Sequence, residues 1–447
     1  MEGLELKQGE VVKHGNPLIV PQYPWEGILT YLYGSILQKG KIYRMWYQAH
    51  GIYVSYARSR DGIHWEKPLI RRLSVGKPEM YPTVTTGHGE EDFSGMVGKP
   101  FRGKTNVVLD FHMPSVIYDP EDRYRPYKLF GYTDKGYAVA FSRDGIHFRE
   151  YDHNPVIPLM RFPDKTKRKT WFSDVSPVFR DSLKKKFVAH VKTYKTDAEG
   201  RIRRCVGYAE SEDFLHWSKP ETLWVPSESE DQLAIQKGFQ WADFYGLCGF
   251  NYGHIYLGLL WLFYIDYEIE KGTHEGKIEV YLAYSLDGKK WERFSDAPLI
   301  PLSASGWDTG MVTTANLPLF EEDEILLYYG GSNFSHGVGE GETPYDEKNH
   351  RFNIGLAYLR KDGFVYACSR GHLWTKPLKS ERGYVKINAD TREGRILIDM
   401  IKNGRKAKSF AMAGTDALDY TVRTHLNENV VLKVYIEDAK LYSLEVL

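Results

Sequence analysis

Five acidic residues stand at matching points of a repeated pattern. They are Glu26 in Pro-Trp-Glu-Gly, Asp110 in Val-Leu-Asp-Phe-His-Met-Pro, Asp174 in Phe-Ser-Asp-Val-Ser-Pro, Asp243 in Trp-Ala-Asp-Phe-Tyr-Gly and Asp308 in Gly-Trp-Asp-Thr-Gly-Met. Any one of them alone reads equally well as a turn cap. Five like charges gathered in one place repel, and that cost points to use in a site. Paired carboxylates are what glycosidic cleavage requires. One, held protonated, donates to the leaving oxygen; the other, ionised, attacks the anomeric carbon or activates water. Asp174 and Asp243 lead as the acid/base pair, with Asp110 as stabiliser or pKa modulator. Trp241 and Tyr245 flank Asp243 and would shield it from water, which raises a carboxyl pKa. Trp25, Phe111, Trp241, Tyr245 and Trp307 offer ring faces for sugars, whereas Phe172 and Phe244 read better as core. His112 shares a strand face with Asp110, and His336 ends Gly-Ser-Asn-Phe-Ser-His on an expected loop. Both could bond a sugar hydroxyl, and a satisfied core histidine fits either equally.

The elements that must position these groups repeat along the chain. Compare Tyr-Ala-Arg-Ser-Arg-Asp-Gly-Ile-His-Trp at 56–65, Ala-Phe-Ser-Arg-Asp-Gly-Ile-His-Phe at 140–148, Tyr-Ala-Glu-Ser-Glu-Asp-Phe-Leu-His-Trp at 208–217 and Ala-Tyr-Ser-Leu-Asp-Gly-Lys-Lys-Trp at 283–291, with a weaker copy at 357–364. The aligned aspartates, Asp61, Asp144, Asp213, Asp287 and Asp362, are 83, 69, 74 and 75 residues apart. Each copy is a strand, a turn in which Asp caps and Gly supplies positive φ, and an aromatic opening the next strand. An aromatic strand and a strand of small apolar residues precede each hairpin. Units of this length suit four-stranded blades, so an all-β, five-bladed β-propeller is expected over 1–370. In such a fold the first strand of every blade lines the axis, and its entrance end collects the five acids. His64, His147 and His216 fall in the hairpins and read as structural. Long helical periodicity is absent. From 371 to 447 short alternating runs predict a C-terminal β-sandwich.

Composition narrows the function classes. The 447 residues carry 59 Lys+Arg and 59 Asp+Glu, so no net field draws the chain to nucleic acid or an acidic membrane. No apolar run is long enough to span a bilayer, and no signal peptide opens the sequence, which predicts a cytoplasmic protein. Cys205, Cys248 and Cys368 are far apart and lack metal-ligand spacing. No cofactor is expected, and a divalent cation in the channel carries no sequence signature.

The Ser-x-Asp-Gly hairpins, Asn16-Pro17-Leu18-Ile19-Val20-Pro21, and Gly306-Trp307-Asp308-Thr309-Gly310-Met311 followed by Tyr328-Tyr329-Gly330-Gly331 resemble the five-bladed propeller glycosidases, the group of glycoside hydrolase families 32, 43, 68 and 130. The tail Asp438-Ala439-Lys440-Leu441-Tyr442-Ser443 is most similar to family 32-like proteins with a C-terminal β-sandwich. The resemblance implies an Asp of the first blade as nucleophile or base, an Asp of the second as stabiliser and a Glu of the third as acid. In this sequence Glu26 stands at the first-blade position and Asp174 at the third. The expected function is hydrolysis of an oligosaccharide or glycoside. Two other classes compete. A phosphorylase needs one acid and a basic phosphate cradle, and Lys and Arg are scarce in the sequence around the five acids. A sugar-binding propeller without catalysis would leave the acids unexplained.

Overall fold

The computed structural model describes all residues except 51–52, 76–100, 160–173, 270–273, 339–342, 347, 380–382, 424–428 and 447. The chain is all-β, and the described residues contain one α-helix, Glu228–Gln236, and one 3-10 turn, Pro24–Glu26. None of the described helices is long and apolar enough to cross a membrane. Two compact units form. The larger comprises Lys13–Leu319 and Leu327–Ala357; the smaller comprises Met1–Val12, Phe320–Leu326 and Tyr358–Leu447.

The larger unit repeats one antiparallel sheet. Thr30–Lys39, Ile42–Ala49 and Tyr53–Ser59 pair in that order, as do His112–Tyr118, Tyr127–Thr133 and Gly136–Ser142. In the third copy Val178–Asp181, Lys186–Ala189 and Ile202–Ser211 follow the same order, but the aromatic strand expected ahead of the hairpin breaks after Ala189, and Lys192–Thr196 pairs separately with Ile202–Ser211. The fourth copy holds Trp241–Tyr252, Ile255–Glu268 and His274–Ser285. A single parallel pair, Ile278 with Met311, joins it to Met311–Thr314, Glu324–Ser332 and Phe352–Arg360.

The Ser-x-Asp-Gly phrase folds the same way each time. Ser59 Oγ accepts from the Gly62 N–H, while Asp61 Oδ1 accepts from the N–H groups of Ile63 and His64. Ser142/Asp144, Ser211/Asp213 and Ser285/Asp287 repeat the arrangement. The residue after Asp is left-handed: Gly62, Gly145 and Gly288 have φ of 75°, 80° and 72°, and Phe214 takes the same conformation at 69°. Phe214 is fully buried against Phe130, Phe141 and Phe187.

Side-chain hydrogen bonds stitch the first strands to one another. Ser35 Oγ accepts from the Val116 N–H at 2.6 Å, Ser115 Oγ from the Val178 N–H at 2.9 Å, and Asn316 Nδ2 donates to Ser115 Oγ at 2.8 Å. Gly34, Ser115, Ser176, Cys248 and Thr314 line one shared cavity of only about 10 Å³. That is room for about a single water.

In the smaller unit Glu5–Gln8, Val365–Cys368, Lys440–Val446, Tyr384–Asp390 and Asp416–Arg423 form one sheet. Gly371–Trp374, Asn429–Glu437, Arg395–Lys402, Arg405–Ala413 and Leu378–Lys379 form another. Val385, Ile387, Ile396, Ile398, Val434 and Ile436 share one buried core. The weakly patterned strands Arg405–Ala413 and Asp416–Arg423 and the helix were not evident from periodicity. The helix does carry a readable signal, the capping box Ser227–Glu230.

Candidate active site

Three of the five acids are sunk into ion pairs. Glu26, fully buried, accepts from the backbone N–H of Gln22 at 2.7 Å and of Tyr23 at 3.0 Å, from Tyr47 Oη at 2.5 Å, and from Lys67 Nζ at 2.7 and 3.0 Å. Asp308 Oδ2 accepts from Lys13 Nζ at 2.7 Å and Tyr329 Oη at 3.1 Å. Asp243, also fully buried, takes Arg203 Nε at 2.8 Å on Oδ1 and has Arg204 Nη1 3.6 Å from Oδ2. Burial raises the Asp243 pKa against the pull of Arg204 and Arg203.

The other two acids reach solvent. Asp110 is exposed where Val107–Leu109 hands over to His112–Tyr118. Desolvation by the surrounding protein nonetheless raises its pKa, opposed by Arg71. Asp174 lies just ahead of the short strand Val178–Asp181, its side chain 21% exposed. Lys192 Nζ is 3.0 Å from Oδ1 and His112 Nε2 is 3.3 Å from Oδ2. An ammonium that close favours the ionised carboxylate.

A cluster grows outward from Asp174. Lys192 Nζ sits 3.9 Å from the centre of the Tyr245 ring, which meets His336 edge-on at 5.3 Å. His336 Nδ1–H donates to the His274 carbonyl at 3.1 Å, which fixes the tautomer and leaves Nε2 as an acceptor. Burial, with Arg204 and Lys192 adding to it, pushes the His336 pKa down to about 3, so the ring is neutral. Arg204 Nη1 also contacts His274 Nδ1 at 2.5 Å. The Asp174 charge raises the pKa of Tyr132 and Tyr245, in each case behind the larger effect of burial.

Of the sequence candidates, the structure therefore brings together Asp174, His112, Tyr245 and His336. Asp243 joins at one remove, through Arg204. Glu26, Asp308 and Asp110 have separate partner sets. Trp25 is buried, its Nε1–H bonded to Asn106 at 2.8 Å and its ring stacked on Tyr23 at 4.7 Å. Trp307 stacks on Tyr329 at 5.3 Å, and Trp241 meets the His274 edge at 5.7 Å. Phe172 lies outside the described residues. Among the described residues no group of three or more His, Cys, Asp or Glu is arranged to hold a metal ion.

The expected scarcity of basic groups beside the acids does not hold. Lys13, Lys67, Lys192, Arg203 and Arg204 all contact them, from 18 to 295 residues away in the chain. Folding neutralises charges that look unopposed in a linear reading. Arg203-Arg204 inside the otherwise buried strand Ile202–Ser211 was the available signal, because adjacent charges in a core strand need partners.

No family model matches the chain, and no curated protein matches it. Solved structures are similar to it at low identity. An N-acetylgalactosamine deacetylase from F. plautii, in complex with blood group B trisaccharide, is 13% identical with a TM-score of 0.49, covering 80% of this chain and 96% of that one. A glycosyl hydrolase from Bacteroides ovatus is 14% identical with a TM-score of 0.46, covering 79% and 94%. A family 32 β-fructofuranosidase from Bombyx mori is 12% identical with a TM-score of 0.40, covering 96% and 94%. Solved structures similar to the chain thus include glycoside hydrolases of families 32, 117 and 130.

Proposed function

We propose that the chain is a five-bladed propeller with a C-terminal sandwich, and that it cleaves a glycosidic bond at the end of the axis where Asp174 lies. The observation that carries this reading is the split among the five acids. Asp110 and Asp174 reach solvent, while Glu26, Asp243 and Asp308 are neutralised in buried pairs. Asp110, whose pKa desolvation raises, takes the role of donor to the leaving oxygen. Asp174, beside Lys192, is the ionised partner facing the anomeric carbon. His112, two residues beyond Asp110, touches Asp174, which supports placing both acids at one substrate. Tyr132 and His336, both partly exposed, supply ring faces and partners for sugar hydroxyls, Tyr245 backs Lys192, and Asp243 positions Arg204.

The test is turnover of aryl glycosides and natural oligosaccharides by Asp174→Asn and Asp110→Asn. Each is expected to lose roughly 10² or more in kcat, the usual worth of general acid–base catalysis. Wild-type turnover by both on a substrate with a poor leaving group overturns the assignment. Phosphorolysis is a second reading, favoured by the two cations Lys192 and Arg204 around Asp174. Cleavage that requires inorganic phosphate and releases a sugar phosphate would select it over hydrolysis.

A further inference from the structure

The smaller unit holds a cleft of its own, about 370 Å³, within the range of roughly 300–1,000 Å³ that small ligands occupy. Gly9 and Gly363 form part of its wall, packed so closely that a Cβ on Gly9 would fall 1.7 Å from the Gly363 carbonyl oxygen. Tyr366 and Tyr442 face each other at 5.4 Å and 54°, both partly exposed. The Arg360 guanidinium lies 4.7 Å from the centre of the Tyr442 ring, and Lys440 Nζ lies 5.3 Å from that of Tyr366. Arg360 is held by Asp416 at 2.6 Å, Asn388 at 2.8 Å and the Ala417 carbonyl at 3.0 Å, and Arg392 is held by Asp390 at 2.6 Å. The hydroxyls of Tyr358, Tyr366 and Tyr442, all lining the cleft, have no hydrogen-bond partner among the described residues.

We propose that this cleft is a second carbohydrate site, taking one or two units of a neutral saccharide. Three features select that ligand class. Partly exposed tyrosine rings present flat faces to the C–H side of a sugar. Carboxylates held in place by guanidinium groups accept hydroxyl hydrogens, and the open phenols both donate and accept. The five acids lining the cleft (Glu10, Asp323, Glu324, Asp390, Asp416) outnumber its three bases (Arg360, Arg392, Lys440), which disfavours an anionic ligand, while the pairing of Asp416 with Arg360 and of Asp390 with Arg392 offsets the pull of those two carboxylates on a cation. The site stands on these groups and not on cleavage at Asp174.

The test is calorimetric titration of the full chain, and of its Tyr366→Ala and Tyr442→Ala variants, with neutral gluco-, manno-, galacto- and fructo-oligosaccharides. At least one is expected to bind, with either substitution raising Kd about tenfold or more. Turnover of a small aryl glycoside, which reads the Asp174 site alone, is expected to be unchanged. Tyr366→Phe and Tyr442→Phe keep the rings and remove only the hydroxyls, so loss of binding in them excludes misfolding as the cause. Absence of binding by every saccharide, or binding indifferent to all four substitutions, overturns the proposal. Either result leaves the reading of Asp174 to its own assay.

Discussion

Replacing Lys67 by Met separates a structural from a chemical role for Glu26. The Lys67 side chain is 4% exposed and that of Glu26 is wholly buried, so the substitution leaves a carboxylate without its counter-ion in a site that water does not reach. Removing one partner of a buried pair costs about 3–5 kcal/mol, because the remaining charge stays desolvated. The two backbone N–H groups and Tyr47 Oη still bond Glu26, which places the expected loss near the lower end. Glu26→Gln strands the Lys67 ammonium in turn and should cost a similar amount, about 3–5 kcal/mol, eased by the Val20 carbonyl that still accepts from Lys67. Burial lowers the Lys67 pKa against the pull of Glu26, so the lysine is itself costly to hide; the double variant Glu26→Gln/Lys67→Met should therefore be more stable than the sum of the single losses predicts. The assay is urea unfolding at neutral pH followed by tryptophan fluorescence, with kcat measured on the same preparations in the absence of denaturant. A hundredfold loss of kcat in Glu26→Gln with an unchanged unfolding midpoint would refute the reasoning and return Glu26 to the chemistry.

Acid should destabilise the larger unit early. His50 and His190 are buried and neutral with pKa values pushed down to about 4 and about 3 by burial, so between those values and the ordinary 6.5 the unfolded chain binds protons the folded one refuses. Stability then falls as pH drops below 6.5, by up to about 1.4 kcal/mol per pH unit for each histidine, and a urea midpoint that is flat from pH 7 to pH 5 would contradict it. Phe214→Gly relieves a left-handed residue but empties a fully buried ring site; loss of about 3–5 kcal/mol of packing should outweigh relief of about 1–2 kcal/mol, giving a less stable protein in thermal unfolding. Gly355→Ala would set a Cβ 2.6 Å from the Trp307 ring, and the displaced indole should show as a shifted tryptophan emission together with a loss of about 1–3 kcal/mol.

Much of the architecture was legible because strands and turns are local. Ser-x-Asp-Gly fixes its own hydrogen bonds within four residues, so four of the hairpins could be read directly, and the spacing between them set the sheet repeat. The small first strands and aromatic second strands were readable for the same reason. Helix Glu228–Gln236 was missed because nine residues are too few for periodicity to stand out, although its capping box was present. The break at His190–Val191 was missed because the strand composition continues through it.

The candidate site divides along the same line. Sequence alone picked out the five acids at matching points of the repeated pattern and put His112 two residues from one of them. It could not tell which acids would be used, because that depends on cations arriving from elsewhere in the fold: Lys67 for Glu26, Lys13 for Asp308, Arg203 for Asp243 and Lys192 for Asp174. A carboxylate's availability is set by what lies within about 4 Å of it and by its access to water, and chain distance predicts neither. Tertiary packing alone buried Glu26, Asp243 and Asp308 and left Asp110 and the Lys192-paired Asp174 in reach of solvent, so the repeat determined where the acids stand in the sequence and long-range packing decided the surroundings of each.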